Sequence, residues 1–430
     1  MLKYQILLPT QLYDIKYLDK SLKYYLYEHS LYFNKYQYNK KKIILHKASL
    51  LYYYDYLTLN GFNVKYIKEF NSLNLSENIY MFDPIDVLPN NDCTLLENPN
   101  FILSKNELYA SYDKMPSFKS LYNNLFKPKI NYLQNINSTD KNNRGKYDYK
   151  VKTNNLPLLS DQDKKYIDKA IKWTNKYYSY NLGNCDNFIY PVTHKSARRW
   201  MMHFLNNNFE YFGKYQDSID TTEKYLFHSL FSILLNIGLL NVNDVVNIII
   251  KKYNHITINS REGFIRQLCW REYIRASTYY LFNMDTFFNE NYFNNNNSLK
   301  NEWYEGKTNI KPVDDAIAIS IDTGWTHHII RLMVLGNYML LQEIKPYDVF
   351  NWFMEMYCDA YEWVMMGNIV MSTFHHGRGL MKKPYFSSSN YILTHSNYKK
   401  DNWCITWNKL YKKFLYKHQH KLIQYGYRIK

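Results

Sequence analysis

The feature that most constrains this 430-residue chain is a change of hydrophobic period along its length. In the first 110 residues short apolar runs alternate with a helical stretch. Residues 4–9 (YQILLP) and 23–27 (KYYLY) read as strands. Residues 40–60 (KKKIILHKASLLYYYDYLTLN) repeat apolar positions at helical spacing and end at Gly61, a C-cap. Residues 63–67 (NVKYI) and 78–82 (NIYMF) read as strands again, the second closed by Asp83-Pro84. Strand, helix and strand in this order imply a parallel sheet with crossover helices. Beyond residue 190 the pattern is almost wholly helical, with amphipathic runs at 196–212, 222–240, 242–253, 260–283, 325–343, 346–366 and 403–418 and an Asn-rich loop at 289–297. The interval between is polar and rich in turn formers (NINSTDKNNRGKYDYKVKTNN). The expected organisation is an α/β domain over 1–130, a connecting segment over 131–190 and a larger all-α domain over 191–430.

Several classes are excluded on the same reading. The α/β part has no G-x-G-x-x-G or G-x-x-x-x-G-K, so the usual nucleotide cradle is not expected there. Cysteines at 93, 185, 269, 358 and 404 form no C-x-x-C pair, which argues against a disulfide framework and for a reducing compartment. The longest apolar stretch, 226–240, is interrupted by His228, Ser229, Ser232 and Asn236 and reads as a buried helix, not a membrane span. The N-terminus lacks a signal-peptide layout. A soluble intracellular monomer without a membrane partner is expected, with cytoplasm, nucleus and viral factory equally open.

The charge is 54 − 38 = +16, and its placement matters more than its size. The last fifty residues hold eleven Lys and Arg against one acid, Asp401. AT-rich coding would supply the many Lys, Asn, Tyr and Ile, but it does not remove acids from one end. The surplus points to a polyanion, nucleic acid before an acidic membrane.

Within the helical part four segments stand out. TGWTHHIIRLMVLGNYMLL (323–341) sets His328 and Arg331 on one helix face, with His327 adjacent. EGFIRQLCWREYIR (262–275) brings Gln267, Trp270 and Arg271 together. HSLFSILLNIGLL (228–240) opens with Ser229 and Ser232, hydroxyls at a helix start that suit a phosphate. CDAYEWVMMGN (358–368) offers Asp359 and Asn368 among aromatics. Each has a plainer reading: core or surface histidines, helix caps, a core indole, an ion-pair partner. Spacing does not separate the two readings; occurrence together and in this order does.

That combination resembles the photolyase–cryptochrome family of flavoproteins, nearest the bacterial photolyase-related branch whose usual members carry an iron–sulfur cluster. The motifs are YPVTHKSARRWMMHFL, FGKYQDSI, YLFHSLFSILLNIGLL, EGFIRQLCWREYIR, GWTHHIIRLMVLGNYMLL, DAYEWV and GLMKKPYFSSSNYI, with looser likeness over 25–57 and 144–149. The resemblance implies a Rossmann-like α/β domain followed by a helical FAD-binding domain of photolyase type. It implies that His228, Ser229, Ser232, Gln267, Arg271, Arg331, Asp359 and Asn368 hold FAD, and that Trp270, Tyr385 and Tyr391 line a lesion pocket. Arg378, Lys382 and Lys383 are placed to meet DNA phosphates. Light-driven splitting of a pyrimidine dimer in UV-damaged DNA is the implied reaction. His327 and His328 match the His-His of (6-4) enzymes, where the second is credited with a proton; imidazole suits that task.

The chain also departs from the pattern. Trp352 matches the innermost member of the family's electron-transfer chain, but Tyr304 falls where a tryptophan is usual and Phe353 where a tyrosine is usual. Met365 falls where a polar residue normally faces the flavin. Leu332 stands where animal (6-4) enzymes have a second histidine. Only Cys404 matches a cluster ligand, so no iron–sulfur cluster is expected. A second, lumazine-type antenna chromophore is implied for the N-terminal domain, with no contact residue to name. Cyclobutane-dimer repair, a blue-light sensor of cryptochrome type and a DNA-binding protein without chromophore remain the competing functions.

Overall fold

The computed structural model describes residues 3–69, 79–86, 93–143, 145–148, 153, 155–281, 288–371, 380 and 384–427. Its N-terminal part is built on five parallel strands, β1 (Tyr4–Leu7), β2 (Lys23–Tyr27), β3 (Asn63–Ile67), β4 (Ile79–Phe82) and β5 (Thr94–Leu96), in the order β3-β2-β1-β4-β5. Four were legible from their apolar runs. The fifth is three residues long and faces solvent on one side, too little pattern to register.

Helix Lys40–Leu59 begins where the Asn39 side chain accepts from the Lys41 amide and ends at Asn60, with Gly61 beyond it at φ +77°. Its central turns are buried all round, because it is covered by the sheet on one side and by helix Asp161–Tyr177 on the other. That second helix lies inside the interval read as a connecting segment. It starts with a capping box between Ser160 and Asp163, and the Asp163 carboxylate also accepts from the Val192 amide and the Thr193 hydroxyl. Its apolar stripe is short and its mean hydropathy low, which hid it among the turn formers.

The remainder is helical, as expected. Helices His194–Asn207, Val242–Lys252, Ile258–Leu281, Pro346–Met356 and Asn402–Lys417 fall on the expected runs, and Lys311–Thr323 adds one the periodicity missed. The run 196–212 breaks briefly at Asn208, and two others are interrupted more deeply. In 222–240 only Phe231–Asn236 is helical, because the backbone turns left-handed at Leu226 (φ 42°) and Leu230 (φ 59°), and both side chains are buried there. In 346–366 the helix stops at Met356, and Tyr357 is extended, with φ −113° and ψ 136°. This break turns Asp359 towards the Ile330–Gly336 stretch, a π-helical segment that carries Arg331. Gly324 ends Lys311–Thr323 at φ +68°, where a Cβ would stand 2.6 Å from Cys358 Sγ. No helix among the described residues is long and apolar enough to cross a membrane.

Candidate functional site

Helix Ile258–Leu281 supplies one wall of the site. Gln267, Trp270, Arg271 and Ile274 recur at positions i, i+3, i+4 and i+7, so they share a face, and all four line a cavity of about 870 Å³. His328, Arg331 and Leu332 face them from the segment after Gly324, and Asp359, Trp363 and Asn368 close a third side. Tyr385, Tyr391 and His395 stand at another edge. An adjoining cavity of about 250 Å³ shares Ser232, Gln267, Arg271, His328, Arg331, Asp359 and Asn368 and adds His228, Ser229 and His327. Together they have the size and mixed lining of a cofactor-and-substrate site.

A buried ion pair sets the geometry. Arg331 Nη1 and Nη2 donate to Asp359 Oδ1 and Oδ2 at 2.9 and 3.1 Å, and Arg331 Nε donates to the Thr326 carbonyl at 2.8 Å. Ser232 Oγ donates to the same carboxylate at 2.6 Å, so this hydroxyl serves Asp359. Asn236 joins the network to the neighbouring helix: its amide donates to the Asp359 carbonyl at 3.1 Å and accepts from Arg271 Nε at 3.0 Å. Arg271 also donates to the Asn100 carbonyl at 3.0 Å and lies 4.3 Å over Phe101. Burial brings its pKa down to about 10, which leaves it charged at neutral pH. Ser229 Oγ accepts from the Phe231 amide at 3.2 Å, across the left-handed turn at Leu230.

Three imidazoles gather at the junction of the two cavities. His228 and His327 stack with centroids 4.3 Å apart, and His228 Nε2 and His327 Nδ1 have no hydrogen-bond partner among the described residues. Burial pushes His228 down to about 3 and His327 well below the ordinary value. His328 is open to the cavity yet enclosed by protein; burial and then the Arg331 guanidinium push it down to about 4. It is therefore neutral at pH 7, not poised near neutrality as its unperturbed chemistry would have it.

The aromatic residues divide. Tyr385 lines the cavity, and Tyr391 stacks on His395 at 4.2 Å. Trp270 lies parallel to Phe118, centroids 3.8 Å apart and planes 7° apart. Trp352 is fully buried, 6.2 Å from Tyr357, whose ring lies 3.9 Å beneath the Arg331 guanidinium. Tyr304 instead donates to Glu355 at 2.9 Å; the neighbouring Trp303 meets Trp352 at 5.9 Å, and Phe353 meets it at 5.1 Å. Met365 is fully buried. Arg378, Lys382 and Lys383 lie outside the described residues.

The sequence reading missed one wall altogether. Phe118, Lys119, Tyr122, Asn123, Lys127 and Asn137 line the larger cavity from the end of the α/β part and the connecting segment. Nothing in their spacing marks them; they arrive through tertiary anchors, above all Glu262, which accepts from Tyr122 Oη at 2.9 Å and from the Thr139 amide and hydroxyl. Among the described residues no group of three or more His, Cys, Asp or Glu could hold a metal ion.

An α/β sheet joined to a helical domain whose interior holds this cavity defines the photolyase–cryptochrome architecture. The fold matches an archaeal photolyase from Sulfolobus tokodaii, solved with two FAD molecules, with TM-score 0.58 and 12% identity over 97% of this chain and all of that one (100%). It matches a cryptochrome of Synechocystis with TM-score 0.56 and 11% identity over 92% of this chain and 88% of the other. In sequence, 273 residues, 60% of the chain, are 36% identical to a (6-4) photolyase of Agrobacterium fabrum, and the match spans about half of that relative, 53%. No protein-family model matches. The chain thus has the photolyase–cryptochrome fold, and over 60% of its length it is similar in sequence to a photolyase.

Proposed function

We propose that this protein repairs UV-damaged DNA in a light-driven reaction, with the (6-4) photoproduct as substrate. One observation carries the reading: Gln267, Trp270, Arg271, His328, Arg331, Asp359, Asn368, Tyr385 and Tyr391 converge on one cavity from separate stretches of chain. FAD fits the residues present. The unpartnered ring nitrogens of His228 and His327 and the bidentate Arg331–Asp359 pair are the donors and charges such a group needs. His228, Ser229, Ser232, Gln267, Arg271, Arg331, Asp359 and Asn368 would hold it. When bound, FAD supplies the light absorption and the electron that splits the lesion.

The chain's own residues do the rest. Trp270, Tyr385 and Tyr391 offer flat faces to a nucleotide turned out of its stack, and Ile274, Leu332 and Val364 keep that space dry. His328 is the proton carrier. The negative charge of a bound phosphodiester or cofactor raises its pKa from about 4 towards neutrality, so the ring takes up its proton only when the cavity is filled. Arg378, Lys382 and Lys383 would meet phosphates, and Trp352 would pass electrons inward; of the two neighbours before it, Trp303 touches its ring while Tyr304 is turned to Glu355, so Trp303 takes the place that family position gives to Tyr304. The division at 1–130, 131–190 and 191–430, a lumazine-type antenna and the lack of an iron–sulfur cluster belong to the same proposal.

The test is repair of oligonucleotides carrying one defined lesion, under blue light, by the parent and by His328→Asn with flavin content checked. The parent should restore the (6-4) product, and the variant should lose about 10²–10⁴-fold in rate with flavin still bound. Activity on cyclobutane dimers alone would transfer the substrate to that class. Flavin and photoreduction without repair of either lesion would make the protein a sensor.

A further inference from the structure

The stack between Phe118 and Trp270 has a property that the other aromatic contacts around the cavity lack. Its rings are parallel within 7° and 3.8 Å apart, the spacing at which a nucleobase lies on an indole. Both rings are only partly buried, and both line the larger cavity. We propose that Phe118 is a gate: it occupies the place of a nucleobase on Trp270 and is displaced when a base enters. The proposal deepens the reading of the cavity as a DNA-lesion site and rests on it.

The surroundings of Phe118 allow it to move. It opens the four-residue helix Phe118–Leu121, which runs directly into a π-helical stretch, Tyr122–Phe126. Residues 109–114 before it are exposed or half-exposed. Its ring touches Trp270, Tyr122 at 5.6 Å and Tyr273 at 5.5 Å, a small apolar hold compared with a core phenylalanine. Its backbone, by contrast, is held, the Phe118 carbonyl accepting from the Tyr122 amide, so rotation about the side-chain bonds can release the ring while the chain stays in place. Lys119 follows directly, exposed, on the cavity lining and without an ion-pair partner among the described residues. A cation next to an aromatic platform is the pairing that single-stranded nucleic acid uses: stacking for the base and charge for the adjoining phosphate. When Phe118 leaves, the base gains the indole face and Lys119 stands beside the strand.

A gate and a fixed wall make opposite predictions. If Phe118 competes with the base, removing its ring removes the competitor, and enlarging it strengthens the competitor. Binding of UV-irradiated single-stranded oligothymidylate would be measured in the dark for the parent, Phe118→Ala, Phe118→Leu and Phe118→Trp, with unirradiated strand as control. Phe118→Ala and Phe118→Leu should bind the irradiated strand more tightly, by up to about tenfold, the worth of one aromatic stack. Phe118→Trp should bind it more weakly. Weaker binding by Phe118→Ala than by the parent would make Phe118 a fixed wall, and equal binding in all four proteins would remove it from the path of the base; either overturns the gate. Trp270→Ala separates this from the underlying reading: if it leaves binding of irradiated strand unchanged, the cavity is not the lesion site, whatever Phe118 does.

Discussion

The imidazoles of His228 and His327 lie face to face, centroids 4.3 Å apart and planes 9° apart. Two protonated rings could not share that geometry, and burial holds both well below their ordinary pKa. The stack therefore exists as a neutral pair with unpartnered nitrogens, His228 Nε2 and His327 Nδ1. A group that donates hydrogen bonds to one and accepts from the other satisfies both without charge. This arrangement separates the two histidines of the His327-His328 motif: one is packed away as a contact, and the other faces the open cavity.

Breaking the Arg331–Asp359 pair from one side should be costly. Both side chains are about 5% exposed, and Asp359→Ala leaves the guanidinium buried without its counter-charge. The expected loss is about 3–5 kcal/mol in unfolding free energy, read by denaturant melts of the flavin-free protein. Asp359→Asn should recover part of it, through the hydrogen bonds, yet lower flavin content. A stability equal to the parent's in Asp359→Ala would mean that water reaches the pair.

Electron supply should depend on Trp303 more than on Tyr304. Trp352 donates its Nε1–H to the Trp303 carbonyl at 3.0 Å and meets the Trp303 ring; beyond lie Tyr338 at 6.0 Å from Trp303 and Trp407 at 4.9 Å from Tyr338. Trp303→Phe should slow photoreduction of the flavin, followed by its visible absorption, while Tyr304→Phe should leave it close to the parent rate. The reverse order would restore the role that family position gives to Tyr304.

Acid should destabilise the protein through its buried histidines. His46 is fully buried, its Nδ1 is without a hydrogen-bond partner among the described residues, and burial followed by the Lys42 charge pushes its pKa down. An unfolded histidine titrates near 6.5, so as pH falls below that value the unfolded chain takes up the proton first. Stability is then greatest above about pH 6.5 and declines below it, at up to about 1.4 kcal/mol per pH unit for each such ring. His46→Phe should flatten the fall in melting temperature between about pH 6.5 and 5. An undiminished fall would assign the acid sensitivity to other groups.

DNA binding should be steeply salt-dependent. The last fifty residues hold eleven basic side chains against one acid, and neutralising Lys382 and Lys383 together should reduce the slope of log affinity against log salt by up to about two. An unchanged slope would move the phosphate contacts elsewhere.

What could be read in the sequence follows from range. The strands β1 to β4, helix Lys40–Leu59 and helix Ile258–Leu281 announce themselves by local period, and Gln267, Trp270 and Arg271 share a face by spacing alone. The meeting of Arg331 with Asp359, 28 positions apart, came from resemblance, since no local rule joins a π-helical residue to one beyond a broken helix. The wall at Phe118 and Lys119 was illegible. It is brought to the cavity by Glu262, whose partners lie 123 and 140 residues away, and a lone buried glutamate in a helical run gives no hint of what it will hold.

Helix Ile258–Leu281 is moored at both ends of its cavity-lining stretch. Glu262 ties it to Tyr122 and Thr139; ten residues on, Glu272 accepts the Ile102 amide at 3.0 Å and the Leu103 amide at 3.4 Å. Both moorings belong to chain that precedes the helical domain, and both carboxylates are almost completely buried, so neither can be exchanged cheaply for water. The helix stands like a mast between two stays. A fragment beginning at residue 191 would keep Gln267, Trp270 and Arg271 but lose what sets their lean, along with the wall opposite them. The α/β part thus shapes the chamber from outside, and a change made in it can be read at the Gln267–Trp270–Arg271 face without a residue of that face being touched.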